Sequence, residues 1–408
     1  MKKVLVLGVG AQGSTIAKRL DEESVVSQLR CGDRDPKATG ELENTLKKAK
    51  GYQVDARSLH KIVEAAHGVD LIVNGLAPDF NMTVMDAALE VDCDYQDMAS
   101  GPVSDIGFVE AVQRCLDRSP EFEKKGLTAL INTGSAPGCA NVVTRESVDM
   151  MDECESIEIL VYDGIWSKQF IPFWWSPKTA FADMAAKPIR FENGKFVRTK
   201  PFDNPSMEYF EGLGKRRMVD HEHEEPVTMG LLSGKVLKNV KNVNFRYGGP
   251  AVDLAESLYK MGLLSEDSLK INGQEIVPMD IISFLTPPAP KYPEEIQTVL
   301  DGGMELEEGA FVVRVSGKRM GRNILIESYV NAPGLLDSFV KAGITHESYF
   351  TGQSAFLFTK MLINDKIDRT GVFPPEMLDK AERDYYFKEA SKLDITVDQI
   401  IRTRLFES

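Results

Sequence analysis

The sequence predicts an α/β protein: a doubly wound parallel sheet joined to a second, α+β domain with a mixed, largely antiparallel sheet. Three observations predict it. A buried strand, a glycine turn and a helix open the chain at residues 4–20. Apolar runs ending in turn residues then alternate with helical patterns to about residue 150, the βαβ pattern of a parallel sheet. Beyond that point apolar residues recur at every second position, as in strands with one exposed face.

The opening unit is the most specific. Val4-Leu5-Val6-Leu7 runs directly into Gly8-Val9-Gly10-Ala11-Gln12-Gly13, and Ile16, Ala17 and Leu20 follow at helical spacing. Gly8 permits a tight turn, Gly10 lets backbone approach a phosphate, and Gly13 lets helix and sheet pack closely. The positive helix N-terminus then faces the anion. This is the Rossmann arrangement for a dinucleotide pyrophosphate. The next apolar stretch, Val25 to Leu29, leads to Asp33, 20 residues beyond Gly13. An acid there accepts hydrogen bonds from adenosine ribose hydroxyls and repels a 2′-phosphate, which favours NAD. Arg34 would attract that phosphate, so NADP stays open.

Later elements follow the same rule. Val69–Val73 reads as a buried strand ending at Asn74-Gly75-Leu76-Ala77-Pro78, and Thr83–Leu89 as a helix. Cys93–Asp97 reads as a short strand, with Ser104 capping a helix from Asp105 toward Phe122. Thr128–Ile131 reads as a strand entering Gly134-Ser135-Ala136-Pro137-Gly138 and a helix through Met150. Ligands on such sheets bind beyond the carboxyl ends of the strands. Candidate cofactor contacts are therefore Gly8, Gly10, Ala11, Gln12, Gly13, Asp33, Arg34, Asp55, Asn74, Leu76, Ala77, Pro78 and Pro137.

In the second region Ile157, Ile159 and Val161 alternate with polar residues, as do Phe311, Val313 and Val315. Asn193-Gly194 inside Arg190–Val197 signals a two-residue hairpin turn. Gly317 and Gly321 bracket the turn before Ile324 and Ile326. Tyr349–Ile363 is helical, Thr370–Glu376 reads as a rigid turn, and the last segment is expected to return to the first domain.

With 408 residues the chain exceeds one compact core and suits several segments. The net charge is −14, which argues against nucleic-acid or anionic-membrane partners. No stretch of about 18 apolar residues suggests a membrane span. Five cysteines without paired spacing fit reduced thiols, so a cytoplasmic protein is expected.

Several segments together resemble the saccharopine dehydrogenase-like family. They are Gly8–Gly13, Tyr95-Gln96-Asp97 before Ser100-Gly101, Gly134–Asn141, and Trp175-Ser176 with the Asn193-Gly194-Lys195 hairpin. Thr351-Gly352-Gln353 and Gly371–Glu376 complete the set. The resemblance implies a Rossmann domain (1–135), an inserted substrate and dimerisation domain (136–345), and a C-terminal return (346–408). It implies an NAD(P)-dependent oxidoreductase acting on the CH–NH or CH–NH2 group of an amino acid or polyamine-like amine, through an imine. It also implies a homodimer. Ala136 stands where saccharopine reductases tend to carry an acid, which is more similar to the lysine 6-dehydrogenase branch.

Hydride chemistry belongs to the cofactor, and the protein must manage one amine proton. Asp97 is the first candidate for that proton, or for orienting the amine; a turn acid satisfying backbone N–H groups is the alternative. Tyr95 shares its strand face and can assist, or is a buried packing tyrosine. His221, in His221-Glu222-His223-Glu224-Glu225, can face substrate or lie in a solvated acidic loop. A metal pair with His223 has no third His or Cys at supporting spacing, although glutamates could complete a site; no metal is expected. Ser100, Trp174, Trp175 and Arg246 are candidate substrate contacts. The tryptophans wall a pocket or fill the core, and Arg246 offers a fork for a carboxylate or is a surface arginine. Cys139, at a helix N-terminus, can have a depressed thiol pKa and line the nicotinamide pocket. Two other functions remain open: a nicotinamide-binding sensor without catalysis, and a homospermidine-synthase-like transferase that recycles NAD internally.

Overall fold

The computed structural model describes residues 1–103 and 106–403. The expected Ser104 cap and helix start at Asp105 lie outside the described residues. Downstream, two short helices, Phe108–Leu116 and Ser119–Lys125, stand where one was expected. Up to residue 146 the strands are β1 (Lys2–Leu7), β2 (Val26–Asp33), β3 (Ala49–Gln53), β4 (Leu71–Asn74), β5 (Asp94–Asp97) and β6 (Thr128–Leu130). There follow β7 (Glu153–Ser167), β8 (Ile189–Glu192), β9 (Lys195–Arg198), β10 (Ser206–Phe210), β11 (Gly214–Asp220) and β12 (Asn242–Gly248). The remainder are β13 (Leu269–Ile271), β14 (Gln274–Ile276), β15 (Met304–Arg319), β16 (Arg322–Asn331), β17 (Gly371–Phe373) and β18 (Thr396–Thr403).

The chain forms two units, Met1–Glu146 with Ser348–Ile395, and Ser147–Glu347 with the segment from Thr396. Unit 1 carries a seven-stranded sheet in the order β17-β6-β5-β4-β1-β2-β3. Every pairing in it is parallel. Val4, Leu5 and Val6 are fully buried, as the continuous apolar run of a doubly covered strand requires. Leu5, Leu7, Ile72 and Ala129 share one core cluster with helix residues Ile62, Val84, Met85 and Phe122. A Leu5→Ala cavity there costs about 2–5 kcal/mol. Residues 371–373 form an edge strand on β6, not only a rigid turn. Three residues are too few for a sequence period to register.

Unit 2 carries a nine-stranded mixed sheet whose main path is β10-β11-β12-β7-β15-β16-β18, with β8 and β9 beside β12. Its spine is β7 against β15, 15 and 16 residues long and antiparallel. The β7–β12 pair is parallel. Asn193 and Gly194 adopt φ of 51° and 79°, the two left-handed residues a tight hairpin turn needs. In the next hairpin the turn is Met320-Gly321, φ 51° and 72°. Gly317 lies within β15 instead of bracketing the turn. A Cβ there would sit 2.0 Å from the Glu153 carbonyl oxygen, so the bulge between the spine strands demands glycine. Residues 396–403 form β18 against β16 in this sheet, so the return to unit 1 ends at Ile395. Among the described residues no helix is long and apolar enough to cross a membrane.

Candidate functional site

In unit 1 the glycines form a cradle at the point where strand order reverses. β1 lies between β4 and β2, so the turns after β1 and β4 open side by side. Gly8 has φ +78°, and a Cβ on it would meet the Gly75 backbone at 2.8 Å. A Cβ on Gly13 would lie 2.0 Å from the Gly8 carbonyl oxygen, so only glycine lets the helix Ala11–Glu22 start here. Gly10 differs: nothing lies within 4 Å of its ideal Cβ. Fold therefore requires Gly8 and Gly13, while Gly10 keeps open the space at the helix N-terminus that a pyrophosphate would fill. No acidic residue occupies that helix's first turn.

Asp33 ends β2, and its carboxylate accepts the Val9 N–H at 3.0 Å and the Asp35 N–H at 3.0 Å. These bonds hold it beside the glycine turn, where a ribose would lie. Arg34 is exposed. Asp55 is joined by both its oxygens to Arg57, whose hydrogen bonds lower the carboxyl to about 2. The residues of this cradle fit a dinucleotide.

Beyond β4 and β5 runs a buried chain of polar groups. Asn74 donates to the Asn81 side chain at 2.8 Å and to the Tyr95 oxygen at 3.1 Å. The Tyr95 hydroxyl donates to Asp97 at 3.0 Å, and Asp97 also accepts the Asn132 N–H at 2.8 Å. Tyr95 is 0% and Asp97 1% exposed. Burial raises Asp97 to about 7, against those two hydrogen bonds. The expectation that Asp97 and Tyr95 meet a substrate at the crevice mouth is thus corrected: they point inward and tie the β5 and β6 ends together. Asn74 accepts the Leu76 N–H at 3.2 Å and so shapes the turn toward Ala77 and Pro78. Ser100 is fully buried, and Pro137 follows a cis peptide bond. Cys139 is buried against Tyr386, and burial pushes its thiol up to about 12, the reverse of the helix-terminus expectation.

In unit 2 the chemistry gathers on one face of β12. Alternation puts Phe245 and Tyr247 on that face and Asn244 and Arg246 on the other. His221 stacks on Tyr247 with ring centres 5.2 Å apart, and His223 on Phe245 at 3.9 Å. Trp175 meets Tyr247 edge-on at 6.4 Å. The Tyr247 hydroxyl donates to Asp163 at 3.3 Å, and the Ile165 N–H donates to the same carboxylate at 3.2 Å. Burial raises Asp163 to about 6.

Carboxylates crowd the His223 end. Burial alone would lower His223, but the charge and hydrogen bond of Glu225, with Glu224 and Asp183, raise it to about 9. Burial lifts Glu224 to about 8 and Asp183 to about 6, each opposed by the imidazolium. Burial and the neighbouring His223 lower His221 to about 3, so at neutral pH it is an uncharged ring and not a base. Ligating atoms of His223, Glu224 and Glu225 lie within 4.8 Å of one another, a spacing that can also hold a metal ion.

Two expected substrate contacts sit elsewhere. Trp174 is 3% exposed, edge-packed on His346, and donates its indole N–H to the Ile165 carbonyl at 3.4 Å, so it belongs to the core. Arg246 spends its fork on Glu208 at 2.9 Å, Ser206 at 2.8 Å and the Asn204 carbonyl at 2.7 Å. It braces the opposite face instead of awaiting a carboxylate. Sequence reasoning missed Asp163 and Asp183. Asp163 had a signal: it continues the inward series Ile157, Ile159, Val161, where an acid is out of place unless partnered.

The saccharopine dehydrogenase NADP binding domain matches residues 4–130, and the saccharopine dehydrogenase C-terminal domain matches residues 134–392. The chain belongs to the saccharopine dehydrogenase family. It is an NAD(P)-dependent oxidoreductase of that family. It is 23% identical over 386 residues to a carboxyaminopropylagmatine dehydrogenase of Synechocystis, covering 93% of each chain. It is 23% identical over 402 residues to a carboxynorspermidine synthase of Vibrio alginolyticus, covering 92% of each. Saccharopine dehydrogenase (L-Glu forming) of Saccharomyces cerevisiae shares the fold with a TM-score of 0.71 at 14% identity, over 98% of this chain and 100% of that one. The homospermidine synthase of Legionella pneumophila, solved with NAD, has a TM-score of 0.68 at 12% identity, over 100% and 94%.

Proposed function

We propose that this member of the saccharopine dehydrogenase family oxidises or forms a C–N bond in a carboxylated, polyamine-like amine. One observation carries the reading: the unit 2 face that gathers Asp163, Asp183, Glu224 and Glu225 along a row of aromatic rings. Carboxylates attract ammonium groups, and ring faces accept them by cation–π contact. A chain of amines suits a row of such groups better than a dicarboxylic amino acid does. The two relatives whose names denote carboxylated polyamines support the same class.

The nicotinamide, when bound, supplies the hydride acceptor or donor. The chain's residues do the rest. Gly8, Gly10 and Gly13 shape the pyrophosphate cradle, and Asp33 takes the ribose. An amine must be neutral to lose hydride. Asp163, held near 6 and oriented by Tyr247, is the group we assign to take its proton. Trp175 and Tyr247 cover the apolar stem of the substrate. Asp183 holds its distal ammonium.

The test is an amine panel assayed with each cofactor in both directions, with products identified by mass spectrometry. Turnover of N-carboxyalkyl diamines or triamines, with reduced cofactor released or consumed, supports the proposal. Amine exchange without net change in cofactor would instead indicate an internally recycling transferase. Turnover confined to saccharopine or lysine would overturn the substrate class.

A further inference from the structure

On the sheet face opposite the aromatic row, unit 2 contains a recess of about 340 Å³. Ser156 and Glu158 of β7, Arg190 and Glu192 of β8, Asn244 of β12 and Asn204 line it. Beside it lies Asp220, 1% exposed. Asp220 accepts from Asn244 at 2.7 Å and from Asn204 at 3.4 Å. The Arg190 guanidinium stands 3.3 Å from it, and that of Arg246 stands 3.7 Å away. The anion is thus neutralised, and the planar groups around it are fixed in place.

Within this cluster two donors, the Nε–H groups of Arg190 and Arg246, and two acceptors, Asn244 Oδ1 and Asp220 Oδ2, are buried without a hydrogen-bond partner, and of these residues Arg190 and Asn244 line the recess. Native proteins rarely leave such groups unmatched. A single water occupies about 30 Å³, far less than this recess. Glu158, 32% exposed and 3.4 Å from Arg314, adds a carboxylate near the acceptor. A fitting ligand brings an acceptor for Arg190 and a positive donor for Asn244 and Glu158, close together. An α-amino acid carries both on one carbon. Ser156, Asn204 and Glu192, bonded respectively to Ser316, Asp220 and Arg190 itself, make the rest of the wall polar, which favours a polar side chain over an apolar one. Small side-chain rotations at Arg190 and Asn244, ordinary on ligand binding, present both groups.

We propose that this recess binds a free polar α-amino acid as its zwitterion, at a site separate from the acid–aromatic face. It adds an amino-acid input to a protein whose proposed reaction consumes or makes carboxylated amines.

The experiment is calorimetry on the full chain with three probes: L-glutamine, 4-aminobutanamide (no carboxylate) and glutaramic acid (no ammonium). Glutamine is expected to bind with Kd below about 1 mM, and each truncated probe at least about tenfold more weakly. Arg190→Lys keeps the charge beside Asp220 but loses the Nε–H, and should weaken glutamine about tenfold with cofactor binding unchanged. Ser156→Leu narrows the recess without touching an ion pair and should do the same if Arg190→Lys unfolds. Trp175→Ala, on the other face, should leave glutamine binding intact. No heat from wild type, meaning water only, would overturn the proposal. So would equal binding of all three probes, or binding lost in Trp175→Ala but kept in Arg190→Lys.

Discussion

Unit 1 and unit 2 each present polar groups at the ends or faces of a sheet, yet they are built in opposite ways. The unit 1 cradle is made of what is missing: side chains absent at Gly8, Gly10 and Gly13, and backbone N–H groups left free by the start of a helix. The unit 2 face is made of what is crowded in: rings stacked on rings, and acids packed until burial raises Asp163, Asp183 and Glu224. The first design recognises one invariant object, a pyrophosphate. On the proposed function, the second recognises charge spacing, which can change with substrate while the fold stays.

The sharpest break between the two comes from the glycines. Gly10→Glu puts a charged side chain into open space, so unit 1 should still fold while cofactor affinity falls at least about 100-fold, about 2.7 kcal/mol. Gly13→Ala meets the Gly8 carbonyl and should lower the unfolding temperature as well. Fluorescence titration with a reduced cofactor, beside a thermal melt, reads both. In unit 2, Asp163→Asn and Tyr247→Phe should lower kcat/KM for the amine by about 10²–10³ with cofactor affinity unchanged. Loss of cofactor binding in either variant would contradict the division of labour.

A smaller effect concerns pH. Asp97 is held at about 7, above the unfolded value of about 3.9. The folded state therefore keeps its proton more tightly. The resulting stability is complete below about pH 4 and is lost as pH rises through 7, on the order of 4 kcal/mol. Asp97→Asn should flatten that part of the urea-unfolding profile. An unchanged profile would mean that the β5–β6 clamp is not the titrating group. The smallest effect is cofactor choice. Asp33→Ser removes the acid beside the ribose and leaves Arg34, which should shift preference toward NADPH by about tenfold in the ratio of the two Kd values.

The same contrast explains what could be read in the sequence. The Gly8–Gly13 turn and the end of β2 at Asp33 are set by backbone and local spacing, so their geometry was legible in a linear reading. The Asn193-Gly194 turn was legible for the same reason. Residues 371–373 and β18 were not legible as strands, because the first is too short for a period and the second gains its partner only from β16. Asp97 was found as a strand-end acid, but its direction depends on Tyr95 and Asn132, which no spacing reports. Arg246 was chosen for its chemistry, and alternation along β12 sends it to the other face. The cluster around His223 takes Glu224 and Glu225 from its own segment, but Phe245 and Asp183 join it only by folding.

The most direct measurement of the central claim is steady-state turnover of an N-carboxyalkyl triamine by wild type and Asp163→Asn across pH 5–9. The account predicts a rise in kcat/KM through an apparent pKa near 6 in wild type, absent from Asp163→Asn while cofactor Kd stays the same. Equal turnover by the two proteins, with the same pH profile, would contradict it.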